Sequence, residues 1–236
     1  MRNQPAALKP SRELEFKFAV QSSRAFPDLI KYLGMPVEHL ESGIIQINHF
    51  FDTESLCLCS AGCTVRLREH NGRFTLTVKE MAPSEASETV LSNRLEYESD
   101  ISVTMGRKIL KDQVLQLTQL VAAMDSNAVA VSALLKHYGI DQDLAYVGYF
   151  TNTRTQVPIT LTVNHQPKKL IMEFDASEFP GSDLCYEIEV EISLDDDSAA
   201  IHSALVELLK DAGIHWHATI NKSARFFSAR NNQISN

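Results

Sequence analysis

The chain has 236 residues, 44% of them hydrophobic and 22% charged, and a formal net charge of −8. That length suits one domain with a sizeable core, and no apolar run reaches the ~20 residues that a membrane-spanning helix needs. The acidic balance runs against a general nucleic-acid binder, which needs clustered Lys and Arg, and leaves room for a small polyanion held in a local pocket.

In chain order, Met1 to Pro10 carry Arg2 and Lys9 without the apolar stretch and small-residue cleavage site of a secretory signal. They read as a flexible lead-in to one domain over residues 11–230, with 231–236 as a tail. Arg12 to Val20 alternates, with Glu13, Glu15 and Lys17 on one face of a strand and Leu14, Phe16 and Phe18 on the other. Ser22 to Leu33 shows helical spacing through Phe26, Leu29, Ile30 and Leu33, with Ser22 or Ser23 as cap and Gly34 at the exit. Strands are predicted over Gly43–Asp52, Cys63–Glu69 and Arg73–Lys79, the last two joined by the turn signal Asn71-Gly72. Cys57, Cys59, Cys63 and Cys185 match no structural-zinc spacing, so free thiols in a reducing cytoplasm are expected.

Ala82 to Thr89 is Ser- and Glu-rich and reads as a loop before a strand over Asn93–Val103. From Gly106 to Tyr138 the period becomes helical, predicting two core helices broken near Asp125-Ser126-Asn127. Strands return at Leu144–Val157, Ile159–Asn164, Lys169–Asp175 and Leu184–Ile192, with Pro180-Gly181 before the last. A helix over Asp197–Ala212 and a terminal helix from Lys222 follow. His49 reads as a packed strand histidine and Trp216 as a packing residue, and His202, His215 and His217 have no metal-ligand partners at suitable spacing.

Charged pairs recur two residues apart: Glu13/Glu15/Lys17, Arg66/Arg68, Glu96/Glu98, Glu173/Asp175 and Glu187/Glu189/Glu191, with Lys79 and Arg154 near the ends of other strands. Each alone is what a solvated strand face would show. If the strands form one closed sheet, these faces converge inside it and the apolar faces lie under the helices. Opposite charges in such an interior suit a polyanion with divalent cations, Arg and Lys meeting phosphate oxygens and carboxylates holding hard metal ions.

The joint occurrence, in order, of Glu13-Leu-Glu15-Phe-Lys17, Asn48-His-Phe-Phe-Asp52-Thr53, Val65-Arg66-Leu67-Arg68, Leu76-Thr-Val-Lys79, Arg94-Leu-Glu96-Tyr-Glu98, Met172-Glu173-Phe-Asp175, Tyr186-Glu-Ile-Glu-Val-Glu191 and Asn221-Lys222-Ser223 resembles the CYTH superfamily, the triphosphate tunnel metalloenzymes. The resemblance implies an α+β fold, an eight-stranded antiparallel β-barrel enclosing a tunnel with helices outside. It implies a metal-dependent hydrolase of inorganic triphosphate, with two Mg²⁺ or Mn²⁺ ions. Metal ligands would come from Glu13, Glu15, Glu98, Asp175, Glu187, Glu189 and Glu191. Lys17, Arg66, Arg68, Lys79, Arg154 and Lys222 would bind substrate, the first four as catalytic groups. Glu54, where many relatives have Pro, and Ala224, where an aromatic or basic residue is frequent, depart from the pattern and touch no implied ligand. Thiamine triphosphate and nucleotides, including class IV adenylate cyclase chemistry, stay open as alternatives, as do a non-catalytic polyphosphate-binding module and a purely structural barrel.

Overall fold

A computed structural model of the chain describes residues 11–81 and 90–234. The expected lead-in and the loop at Ala82–Thr89 lie outside the described residues. The strands are β1 (Ser11–Val20), β2 (Ile44–Asp52), β3 (Cys63–His70), β4 (Arg73–Met81), β5 (Leu91–Ile101), β6 (Val114–Leu115), β7 (Leu144–Val163), β8 (Gln166–Glu178), β9 (Cys185–Ile192) and β10 (Trp216–His217). The helices are α1 (Ala25–Tyr32), α2 (Cys57–Ser60), α3 (Val103–Asp112), α4 (Leu117–Ala123), α5 (Ala128–His137), α6 (Ser198–Asp211) and α7 (Lys222–Ile234). Hydrogen-bonded neighbours run β10-β1-β5-β4-β3-β2-β7-β8-β9, and β1 also pairs β9. This last pairing closes eight strands into the expected antiparallel barrel, and closure removes the exposed sheet edges.

The chain divides into two compact units, one on residues 47–81 and 94–150 and the other on 13–46, 90–93 and 151–234. In the second unit, Phe16, Phe18 and Val20 of β1 share a core with Val157, Met172, Phe174, Ile188 and Val190 of β7, β8 and β9. Phe26, Leu29 and Ile30 of α1 and Ile201, Leu205 and Leu209 of α6 cover that core. Burying one face of each strand leaves the alternate residues, the charged ones, on the other face. Asp197 caps α6 by accepting from the Ala200 N–H at 3.0 Å. In the first unit, Val65, Leu67, Phe74, Leu76 and Val78 pack with Ile109, Leu120, Val131, Leu134 and Leu135. Asn71 and Gly72 turn the β3–β4 hairpin at φ 47° and 71°, the left-handed pair that a tight hairpin turn requires.

Several boundaries differ from the sequence prediction. Arg24, and not Ser22 or Ser23, precedes α1, and no side chain caps it; Ser22 instead accepts the Ala25 N–H in a turn. Three helices, not two, lie between Val103 and His137. The extra break comes from Gln113 at φ 54°, after which Val114 and Leu115 pair with Ala145 and Leu144. The predicted stop at Pro158 is absent, and β7 runs unbroken with Pro158 opposite Ile171. Only alternate residues of a strand donate to a given neighbour, so a proline at the right parity removes no bond from that ladder. Helix α7 continues to Ile234, into the stretch expected to be tail.

Candidate functional site

The pairing of the second unit's strands sorts its charges into rungs. Ala19 lies opposite Glu187, Glu187 opposite Asp175, and Asp175 opposite Arg154. One rung on, Lys17 lies opposite Glu189, Glu189 opposite Glu173, and Glu173 opposite Gln156. Beyond these, Glu15 faces Glu191. Ala19 is the one position in these rungs with no long side chain, and Glu187 fills the opposite place fully buried. From the far side of the chain, Asn221 caps α7 by accepting the Ala224 N–H at 2.9 Å, which sets Lys222 and Arg225 one turn apart on the same helix face.

These groups form one buried ionic network. Lys17 Nζ donates to Glu15 and, at 2.8 Å, to Glu189. Arg154 forks onto Asp175, with Nε to Oδ1 at 2.8 Å and Nη2 to Oδ2 at 2.5 Å; it also reaches Glu189 at 2.6 Å and pairs with Glu173. Lys222 Nζ lies 2.5 Å from Glu189, 2.8 Å from Asp175 and 3.0 Å from Glu187, and Arg225 pairs with Glu187. Asn152, itself held by the Ser177 hydroxyl at 2.8 Å, donates to Asp175 Oδ1 at 2.9 Å. Asp175 therefore accepts two donors on each oxygen, and both of its oxygens are committed to orienting cations.

Five carboxylates (Glu15, Glu173, Asp175, Glu187, Glu189) face four cations (Lys17, Arg154, Lys222, Arg225). The surplus falls on Glu15. Burial, followed by the charge of Glu189, pushes its pKa up to about 8 against the partial relief from Lys17. Burial would also raise Glu189 and Asp175. Lys17, Lys222 and Arg154 overcome it for Glu189, holding it well below the usual range, and Lys222 and Arg154 do so for Asp175. For Lys17 and Lys222, burial favours the neutral amine, but the surrounding carboxylates outweigh it and raise both pKa values.

Glu15, Glu173 and Glu189 each bring a carboxylate oxygen within 4.8 Å of the others. Three hard oxygen donors in so small a space fit Mg²⁺ or Mn²⁺. Of the residues expected as ligands, Glu15 and Glu189 belong to this trio. Asp175 and Glu187 are fully buried beside it among the cations. Glu13 is half-buried on β1, where its charge adds to the pressure on Glu15, and Glu191 is exposed opposite Glu15. Glu173, read in the sequence only as one of a charged pair and part of a motif, was not among the expected ligands, because its strand face by itself is indistinguishable from a solvated one.

The first unit holds a smaller mixed group. Arg66 donates to the Thr77 hydroxyl at 3.2 Å and lies 3.8 and 3.9 Å from Glu96 and Glu98. Lys79 sits 3.2 Å from Glu96, and Arg68 Nε donates to Asn48 at 2.9 Å. The Arg66 side chain is 12% exposed, against 50% for that of its partner Glu98. Glu98 is exposed and accepts from Thr77 at 3.3 Å. Asp52, in a sequence motif without an assigned role, caps α2 by accepting the Leu58 and Cys59 N–H groups at 3.0 and 2.9 Å, and also accepts the Thr53 N–H at 2.7 Å. His49 is a packed histidine, set against Tyr146 with its pKa lowered by burial to about 4.

The chain is similar to known proteins along most of its length. The CYTH domain family model matches residues 11–227. A protein of Bacillus subtilis (strain 168) named as a candidate triphosphatase, YjbK, is 25% identical over 226 residues, 95% of this chain and all of that protein. Among solved structures, HpAC1 of Hippeastrum, described as a candidate adenylyl cyclase with a dominant triphosphatase activity, superposes with a TM-score of 0.70 at 24% identity, covering 92% of this chain and 95% of that one. A Bacillus halodurans protein described as a candidate adenylate cyclase gives 0.62 at 23% identity, covering 92% and 98%. With the family model spanning every described strand, and most of the ionic network drawn from the motifs that first suggested it, the chain belongs to the CYTH family.

Proposed function

We propose that this chain is a divalent-metal-dependent hydrolase that cleaves inorganic triphosphate to pyrophosphate and phosphate. The observation that carries this reading is the burial of Lys17, Arg154 and Lys222 around the shared carboxylate Glu189. Burying so many charges is costly, and a polyanion with its counter-ions uses both signs at once. The name of the Bacillus subtilis relative supports the same class of reaction.

In this reading Glu15, Glu173 and Glu189 would hold an Mg²⁺ or Mn²⁺ ion, and a second ion would draw on the neighbouring carboxylates of β1 and β9, Glu13 and Glu191. A bound ion neutralises phosphate charge and orients a water. Lys17 and Lys222 exchange Glu189 for phosphate oxygens, and Arg154, kept on Asp175, exchanges its contacts to Glu173 and Glu189. Asp175 and Glu187 keep these cations aimed. Phosphoryl transfer depends mostly on such positioning and charge stabilisation. The four cysteines are all free thiols, in keeping with work in the reducing cytoplasm. The proposed partner is a small polyanion, with no nucleic acid or membrane; among the described residues no single helix is long and apolar enough to cross one.

The test is phosphate release from inorganic triphosphate, thiamine triphosphate, ATP and long-chain polyphosphate, each with Mg²⁺, Mn²⁺ or chelator. Inorganic triphosphate is expected to turn over fastest, chelator to abolish release, and Glu15→Ala to lower kcat/KM at least ~100-fold. Full activity without Glu15 would falsify the site. Metal-independent binding without release would leave a binding module, and a cyclic nucleotide formed from ATP would make the chain a cyclase.

A further inference from the structure

Arg225 has no place in the reading above beyond holding Glu187, yet its surroundings are those of a binding group. It projects from α7 one turn after Lys222, and both reach Glu187, a carboxylate with no exposed surface. Two buried polar atoms at this one ion pair find no hydrogen-bond partner among the described residues: Arg225 Nε and Glu187 Oε1. Such atoms are rare in folded proteins, because each forfeits its hydration without replacement. The guanidinium carbon lies 4.9 Å from the centre of the Phe179 ring, a cation–π contact that restrains the plane of the fork. A charged donor is thus held in place and half used.

Lys222 stands on the same carboxylate and also contacts Asp175 and Glu189. An anion reaching Lys222 comes within reach of the neighbouring fork. We propose that Arg225 is a substrate-binding residue of this site, donating Nε–H and one Nη–H to oxygens of the terminal phosphate of the polyphosphate. This rests on the triphosphate reading for the identity of the anion. Glu187 is then a positioning residue, holding Arg225 in register in the free protein and, through its remaining oxygen, accepting a hydrogen bond from a water that enters with the anion. Arginine suits the task better than lysine because its rigid fork matches two phosphate oxygens at once.

The test is calorimetric titration of the full chain with inorganic triphosphate in chelator, where no turnover interferes, for wild type, Arg225→Gln and Arg225→Lys. Arg225→Gln is expected to weaken binding about 10- to 100-fold, the loss of one or two charge-assisted hydrogen bonds. Arg225→Lys, which keeps the charge beside Glu187 but loses the fork, is expected to recover part of it. Thermal unfolding in the same buffer separates a structural role: a lowered midpoint with wild-type triphosphate affinity overturns the proposal. Should Arg225→Gln fail to fold, Arg225→Lys decides alone, since binding as tight as wild type also overturns it. Wild type that binds triphosphate and never hydrolyses it with Mg²⁺ or Mn²⁺ ends the hydrolase reading while leaving Arg225 standing; wild type that binds none in chelator overturns the Arg225 proposal and leaves the hydrolase reading to the phosphate-release assay.

Discussion

Glu15 shows how one side chain can be set by its neighbours. It is 7% exposed on β1, beside Lys17 and within reach of Glu189 and Glu173. Its pKa near 8 lies above the ordinary 4.5, so between those values the folded protein keeps a proton that the unfolded chain releases. The sign follows from linkage: this group's stabilising contribution is complete below about 4.5 and is lost as pH rises through 8. In chelator, the wild-type unfolding midpoint should therefore fall over that window more than that of Glu15→Gln. If Glu15 holds the metal as proposed, Mn²⁺ competes with the same proton, and its affinity measured by calorimetry should climb with pH up to about 8 and then level, each ion releasing about one proton below that point. A flat Mn²⁺ affinity from pH 6 to 9 would show that Glu15 is no ligand. As a residue it was legible in the sequence; as a protonated carboxylate it was not, because burial and the charge of Glu189 are tertiary facts.

At the scale of elements, the strands could be read because alternation is local and survives any packing arrangement. Charged faces on β1, β3, β5, β8 and β9 follow from period two alone. Turns were equally plain where chemistry demands a left-handed residue, as at Asn71-Gly72. What failed were short elements with little periodicity to display: α2 has four residues and depends on Asp52 at its N-terminus. The split of α3 from α4 depends on the pairing of Val114 and Leu115 with β7. Gly106 in α3 shows a packing constraint of the same kind, since a Cβ there would stand 2.3 Å from the Phe74 ring of β4. Gly106→Ala should accordingly destabilise the protein by about 1–3 kcal/mol, the usual result of overpacking, although alanine ordinarily favours a helix. Denaturant unfolding measures it, and a stabilised variant would mean that α3 can move off β4 at little cost.

For the whole molecule, a net charge of −8 coexists with a buried network holding four cations, so the sign of the total says little about the ligand. The cysteines give a global check on the packing. Cys57 is exposed, and hydrogen bonds from Ser55 and Thr53 lower its pKa, whereas burial pushes Cys63 up to about 12. Thiolate is the reactive form, so a chromogenic disulfide reagent at pH 8 should modify Cys57 first and reach Cys63 only on unfolding. Early labelling of Cys63 would contradict the packing of the first unit's core.

From its sequence alone, the chain's class, its strands and most members of the buried ionic network could be named, since composition, periodicity and ordered motifs are properties of nearby residues. Only the tertiary structure decided which carboxylates share a space, that Glu173 joins Glu15 and Glu189, that Asp175 is spent on Arg154 and Lys222, and that Arg225 stands beside them. Lys17 and Glu189 are 172 positions apart and meet at 2.8 Å. Their meeting depends on the register of β1 against β9, which the apolar faces of both strands set by packing under α1 and α6.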